Sequence, residues 1–222
     1  MKNRLTMREN PYNGLLITFC GLDGSGKTTL INRLNSYFEK MDIVPEVTKQ
    51  PTTTLRQLSG FRKLIDSPNQ APYLHKSMAL MAAGDRIMHV HEVVEPALRD
   101  GKVVICDRYF YSCLAHLKAG GFKQDEWIYE ISSSIIKPDA PFFLIVPPPI
   151  AASRVRQREN EKDRYIDLDF HRFVNTEYQV IAEQEAAHIL FTDDSIDSTV
   201  DEMLRIIKPI VERKRRIMVT LR

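Results

Sequence analysis

Apolar residues in this chain fall into two kinds of run, and the two kinds alternate. Short unbroken runs read as strands buried on both faces of a sheet: Leu15 to Cys20, Ile43 to Thr48, Lys102 to Cys106, Phe142 to Val146 and Ile189 to Thr192. Between them, apolar positions recur at helical spacing. The pattern predicts a helix from Thr29 to about Lys40, and another over 53–66 with Leu55, Leu58, Phe61 and Leu64 or Ile65 on one face. A long helix should run from Pro72 to about Arg99, closed by Asp100-Gly101; proline suits a first helical turn, where an N–H has no intrahelical partner. Helical pieces at about 110–118 and 124–136 are separated by Gly120-Gly121, and Pro147-Pro148-Pro149 stops the fourth strand. Helices follow at 150–158 and 168–186, and Ser198 can cap a last one reaching about Arg213. Strands alternating with helices imply an α/β fold, a parallel sheet covered on both faces and joined by right-handed crossovers. Ligands of such sheets bind at the carboxyl ends of the strands.

The end of the first strand carries Gly21-x-x-x-x-Gly26-Lys27-Thr28, a P-loop set between a strand and a helix. Its glycines let backbone N–H groups turn toward one point without Cβ clashes. Those groups and the following helix N-terminus form a phosphate site. Lys27 can reach β- and γ-phosphates, and the Thr28 hydroxyl can ligate Mg²⁺.

Composition sets bounds on this reading. The chain has 222 residues, 43% of them hydrophobic and 27% charged, which fits one globular α/β domain. A net charge of +2 gives no argument for nucleic acid as a partner. No apolar run reaches membrane-spanning length. The odd cysteine count (Cys20, Cys106, Cys113), without metal-ligand spacing or an export signal, leads us to expect free thiols in the cytoplasm. Residues 1–13 are polar and are expected to form a flexible leader, 14–213 a single P-loop domain, and 214–222 a basic tail.

Other candidates follow strand ends. Asp107-Arg108-Tyr109 comes directly after the third strand. Asp107 could hold Mg²⁺ through water or orient an attacking oxygen, and the planar fork of Arg108 suits an acceptor phosphate. A local ion pair is the plainer reading, but the position at the carboxyl edge favours function. Arg86, behind the small residues Ala82-Ala83-Gly84, either reads a polar ligand edge or belongs to a solvated turn. Residues 154–165 hold four arginines and a lysine in twelve positions. They are either a salt-bridged helix end or a mobile lid at about 154–166 whose arginines close over a transferring phosphoryl group. Lys49, after the second strand, and Arg62 could face an acceptor phosphate. His89 and His91, two apart on a helix, cannot share a face and suggest no metal site. The Asn-Lys-x-Asp signature of GTPases is absent.

In this order the pieces resemble the thymidylate kinase family of nucleoside monophosphate kinases, from about Gly14 to Ile207. The loop Gly21-Leu-Asp23-Gly24-Ser25-Gly26-Lys27-Thr28-Thr29 is similar to the family's own. So are Ala83-Gly84-Asp85-Arg86 with His89, Pro96 through Asp107-Arg108-Tyr109 to Ser112 and Ala115, Lys137-Pro138-Asp139, and Asp163-Arg164-Tyr165. The resemblance implies a P-loop NTPase fold, a five-stranded parallel sheet in the order 2-3-1-4-5 flanked by helices. It implies transfer from ATP, with Mg²⁺, to a deoxynucleoside monophosphate such as dTMP, and a homodimer. It further implies that Gly21 to Thr29 bind ATP and that Asp23 takes the sugar hydroxyl. Lys49, Arg62, Arg86, Arg108 and Tyr109 would bind the acceptor, and Thr28 and Asp107 the metal. Gly24, where the family has arginine, implies that the catalytic arginine comes from the lid, as Arg158 or Arg164. Three departures bear on the acceptor base: Lys49-Gln50-Pro51 replaces Arg-Glu-Pro, Ala82 replaces a stacking phenylalanine, and Ala115-His116-Leu117 replaces Ala-Tyr-Gln. They leave open a kinase of the same fold acting on another nucleotide or on a non-nucleotide small molecule. A non-catalytic ATP-binding regulator is the third reading, and intact Lys27, Thr28 and Asp107 speak against it.

Overall fold

A computed structural model describes residues 4–61 and 71–220. Five parallel strands form one sheet in the order β2-β3-β1-β4-β5: β1 Leu15–Gly21, β2 Glu46–Lys49, β3 Val103–Asp107, β4 Ala140–Ile145 and β5 His188–Phe191. The central strands read as unbroken apolar runs because both faces are covered. Leu16, Cys20, Val104, Cys106, Phe143 and Ile145 point into one core. Their alternates Leu15, Ile17, Phe19, Val103, Ile105, Phe142 and Leu144 point into the other. The helices α1 (Lys27–Glu39) and α9 (Ile196–Thr220) pack on the second face. The first is covered by α3 (Pro72–His89), α5 (Phe110–Ala119) and α8 (Leu168–Gln184), with α2 (Thr53–Gln57), α4 (Glu95–Arg99), α6 (Trp127–Ile131) and α7 (Pro148–Arg156) as shorter pieces. Among the described residues no helix is long and apolar enough to cross a membrane.

Several boundaries differ from the sequence reading, each for a local reason. The second strand begins at Glu46, not Ile43, because the Ile43 N–H is spent on the Phe38 carbonyl (3.0 Å), stopping α1 beside the left-handed Asp42 (φ 58°). The helix from residue 53 ends at Gln57. Leu58 is extended (ψ 121°) and half-exposed while Leu55 and Phe61 are buried; the chain is helical again over 59–61, and residues 62–66 of that expected helix, with Arg62, lie outside the described residues. The long helix from Pro72 widens into a π turn at Val90–Val94, where the Glu95 N–H reaches back to the Val90 carbonyl. Pro96 follows at once; its ring collides with the carbonyl four residues back in α geometry, and the wider turn relieves this. The last helix starts two residues ahead of Ser198, which therefore sits in its first turn and is not its cap; the helix continues past Arg213 to Thr220.

The N-terminal segment is held, where its polarity suggested a loose leader. Leu5 is buried, Arg8 bridges to the chain beside Ile136, and Thr6 bonds Ser132. The Tyr12 hydroxyl donates to Glu95 (2.7 Å), and Asn10 donates to Asp139 (2.7 Å). Lys214 closes the same corner, donating to the carbonyls of Tyr12 and Gly14 and pairing with Asp139 at 3.1 Å. All of this lies at the amino edge of the sheet and leaves the carboxyl edge free.

Candidate active site

Strand register brings the candidates together. Asp107 closes β3 opposite Phe19 of β1 on one side and Lys49 of β2 on the other. Beyond β1 the chain turns through the glycine loop into α1. Gly24 has φ 84°, and a Cβ there would stand 2.1 Å from the Ala151 carbonyl of α7. The bare backbone thus lets α7 sit directly on the loop. Lys27 opens α1 with its side chain folded back onto the loop carbonyls of Leu22 (2.7 Å) and Gly21 (3.1 Å). A cavity of about 170 Å³ opens over this loop. It is lined by Asp23, Gly24, Gly26, Lys27, Thr28, Thr29, Lys49, Asp107, Arg154 and Arg158. A wider cleft of about 620 Å³ shares Thr28, Lys49 and Asp107 and continues past Ile31, Thr48 and His89.

Charge in the site is arranged in pairs. Arg108 adopts a left-handed backbone (φ 69°), a costly conformation outside glycine. Its guanidinium bonds Asp23 at 2.5 Å, the Gly21 carbonyl at 2.9 Å and the Tyr178 hydroxyl at 3.3 Å. Asp23 also receives Arg164 at 3.1 Å, which is held in turn by Glu161. Burial alone would raise the Asp23 carboxyl, yet Arg108, Lys27 and Arg164 hold it well below its ordinary value. Lys49 pairs with Asp107 at 2.8 Å. Asp107 is lowered in the same way, Lys27, Arg108 and Lys49 outweighing its burial. Lys27 goes down to about 7, first by burial and then by the like charge of Arg108. Two buried oxygens here have no partner among the described residues, Ser25 Oγ in the loop and Asp107 Oδ1. Unpaired buried acceptors are costly. With the Thr28 hydroxyl lining the same cavity, Asp107 Oδ1 fits a divalent cation, whose hard charge favours oxygen ligands.

The thymidylate kinase family model matches residues 19–203. The chain belongs to the thymidylate kinase family. It is 33% identical to the probable thymidylate kinase of Pyrococcus abyssi (strain GE5 / Orsay) over 201 residues, 88% of this chain and 96% of that one. It is 36% identical over 179 residues to the probable thymidylate kinase of Thermococcus kodakarensis, covering 76% and 84%. A thymidylate kinase of Prochlorococcus marinus (strain NATL1A) matches at 31% over 213 residues, covering 90% and 99%.

Seen in this family's fold, the remaining candidates divide. Arg86 is no solvated turn. It is buried, donating to the carbonyls of Ala82 (2.9 Å) and Tyr109 (3.1 Å). Its neighbour Asp85 accepts from the Thr52 N–H and hydroxyl and so fixes the loop after β2. Tyr109 is a correction: it is fully buried and its hydroxyl donates to the Ile136 carbonyl at 2.7 Å, so its side chain is a core element closed to an acceptor. What it offers the site is the carbonyl that holds Arg86. Of the two arginines expected in a lid, Arg158 lines the cavity over the loop, whereas Arg164 is turned onto Asp23. Sequence reasoning held Arg154 within the basic stretch without singling it out; it lines the cavity while donating to the Thr192 carbonyl at 2.8 Å. The same reasoning missed Tyr178, since a tyrosine inside an amphipathic helix carries no signal that its hydroxyl meets an arginine 70 positions away. Gln50 and His89 join at 2.9 Å, with His89 at 2.6 Å from the Thr48 hydroxyl, so the altered strand-end segment is fastened to α3.

Proposed function

We propose that this chain transfers the γ-phosphoryl group of ATP to dTMP, giving dTDP and ADP. The observation that carries the reading is the cavity itself. Four basic side chains, Lys27, Lys49, Arg154 and Arg158, converge with Thr28 and Asp107 over a P-loop, in a chain of the thymidylate kinase family. In the transfer, an oxygen of the acceptor phosphate forms a bond to Pγ while the bond from Pγ to the β,γ-bridging oxygen breaks. Such a transition state asks for in-line positioning and for positive charge at the equatorial oxygens. Lys27 and the loop N–H groups of Gly21 to Thr29 hold the donor phosphates. Arg108 and Lys49 hold the acceptor phosphate, Arg62 assists, and Asp23 takes the sugar hydroxyl. Arg86 meets the base edge, fixed in place by the two carbonyls it already bonds. Arg158 aims its charge at the transferring group, and Arg164 orients Asp23. Thr28 and Asp107 would hold Mg²⁺, which when bound supplies charge neutralisation between the phosphates. Three buried free cysteines fit a reducing compartment such as the cytoplasm. Pairing with a second copy is part of the same proposal.

The test is ADP release by the purified protein with ATP, Mg²⁺ and a panel of acceptors: dTMP, dUMP, dCMP, UMP, AMP and GMP. Preference for dTMP is expected. Release with none of them, from protein that binds ATP, overturns the reading in favour of a non-nucleotide acceptor. Arg158→Ala should lower kcat by roughly 10² to 10³ with little change in the KM of dTMP, the mark of a contact made in the transition state; an equal loss from Arg164→Ala alone would transfer the role.

A further inference from the structure

A second set of polar groups runs from Arg108 away from the phosphate cavity. The Arg108 guanidinium donates to the Tyr178 hydroxyl (3.3 Å), and that hydroxyl donates to Ser112 Oγ (3.0 Å). One turn further along α5, His116 places Nδ1 at 2.8 Å from the Ser112 carbonyl. A carbonyl can only accept, so Nδ1 carries the proton. Burial, and then the charge of Arg108, push the imidazole down to about 3, so the ring is neutral. A neutral ring protonated at Nδ1 has a lone pair at Nε2, on the side away from the helix backbone. Among the described residues the ring makes its one hydrogen bond through Nδ1, which leaves Nε2 open to a ligand.

The ring sits in a partly open aromatic group between α3, α5 and α8. It meets Phe170 edge-on at 6.1 Å between centroids and Tyr178 at 6.3 Å, and His75 of α3 stacks on Phe170 at 4.8 Å. His75 and Ala82 lie seven residues apart on α3, on one face. His75 and Phe170 thus put aromatic surface beside His116, two helical turns along α3 from Ala82. The contacts Arg108–Tyr178–Ser112 lead from the arginine proposed above for the acceptor phosphate to this group.

We propose that His116 selects the acceptor base: its Nε2 lone pair accepts the N3–H of thymine or uracil and turns away cytosine, whose N3 is itself a lone pair. This rests on the kinase reading above and adds to it the residue and the atom that decide the base. Discrimination follows from chemistry. One pairing makes a hydrogen bond, and the other sets two acceptors against each other in a desolvated site.

The experiment compares kcat/KM for dTMP and dCMP. His116→Phe keeps the aromatic volume and removes the lone pair; it should lower the dTMP-to-dCMP ratio by roughly tenfold or more, the loss falling on the KM of dTMP. His116→Gln, which offers an amide oxygen, should restore part of the ratio. An unchanged ratio in His116→Phe overturns the assignment and leaves the kinase reading standing. A wild-type protein that phosphorylates neither nucleotide overturns both. A direct readout needs no variant. The ¹⁵N resonance of His116 Nε2 should move when the wild type is saturated with dTMP, as a lone pair that gains a hydrogen bond does. A resonance unmoved at saturation also overturns the proposal.

Discussion

Lys27 carries the largest consequence of any single side chain, because burial and Arg108 bring its ammonium down to about 7 before a ligand arrives. At pH 8 the free protein therefore holds much of its Lys27 neutral. Triphosphate binding places negative charge beside it and draws the proton back. ATP binding at pH 8 should take up roughly one proton, in proportion to the neutral fraction, whereas at pH 6 Lys27 is already charged and adds nothing. Calorimetry at pH 8 in two buffers of different ionisation heat measures the uptake. Lys27→Met should abolish it, and equal uptake in both proteins would sink the argument. Lys27→Ala should also cost on the order of 10² to 10³ in kcat/KM, the scale for removing one preorganised donor from a developing anion. Legibility differs sharply among residues. Lys27, Thr28 and Asp107 could be read from the sequence because loop chemistry and strand ends dictate them. Tyr109 and Arg164 could not be placed, since adjacency to Arg108 or membership of a basic stretch does not say which way a side chain turns.

At the scale of elements, the glycine loop and α7 are one unit. Gly24→Ala would set a Cβ 2.1 Å from the Ala151 carbonyl on a backbone with φ 84°. Left-handed strain and overpacking together should destabilise by at least about 2 kcal/mol, lowering Tm and loosening α7, with kcat falling more than ATP affinity. A melting curve beside a kinetic profile checks both; a variant with wild-type Tm would mean that α7 shifts without cost. The N-terminal segment makes the opposite point. Tyr12→Phe removes the hydroxyl that donates to the buried Glu95 and should cost about 1–3 kcal/mol in denaturant unfolding, with turnover unchanged because the contact lies at the far edge of the sheet. Periodicity found all five strands, since apolar runs buried on both faces leave a plain signal. It did not find the π turn at Val90–Val94 or the late start of β2 at Glu46. Both are settled by single hydrogen bonds that hydrophobic spacing does not encode.

For the whole molecule, the question is what covers the outer face of α3. Its inner face holds Ala79, Ala82, Ala83, Arg86 and His89, all buried. Its outer face presents Tyr73, Leu80 and Met88, which are 67%, 49% and 61% exposed. At seven- and eight-residue spacing these three fall on one stripe of the helix. Large apolar side chains aligned on one face fit an interface better than scattered surface residues do. If a second copy covers this stripe, pairing also stiffens the helix whose Ala82 carbonyl holds Arg86, so association and substrate binding are linked. Leu80→Asp places a charge in the centre of the stripe and should weaken pairing by roughly tenfold or more. Sedimentation velocity across a dilution series should then give a dimer for the wild type and a monomer for the variant at the same concentration. The KM for the acceptor should rise with dissociation in both proteins. A wild type that sediments as a monomer at assay concentration, or a Leu80→Asp variant that pairs as tightly as the wild type, would show that α3 faces solvent and that Arg86 is held by its own carbonyls alone.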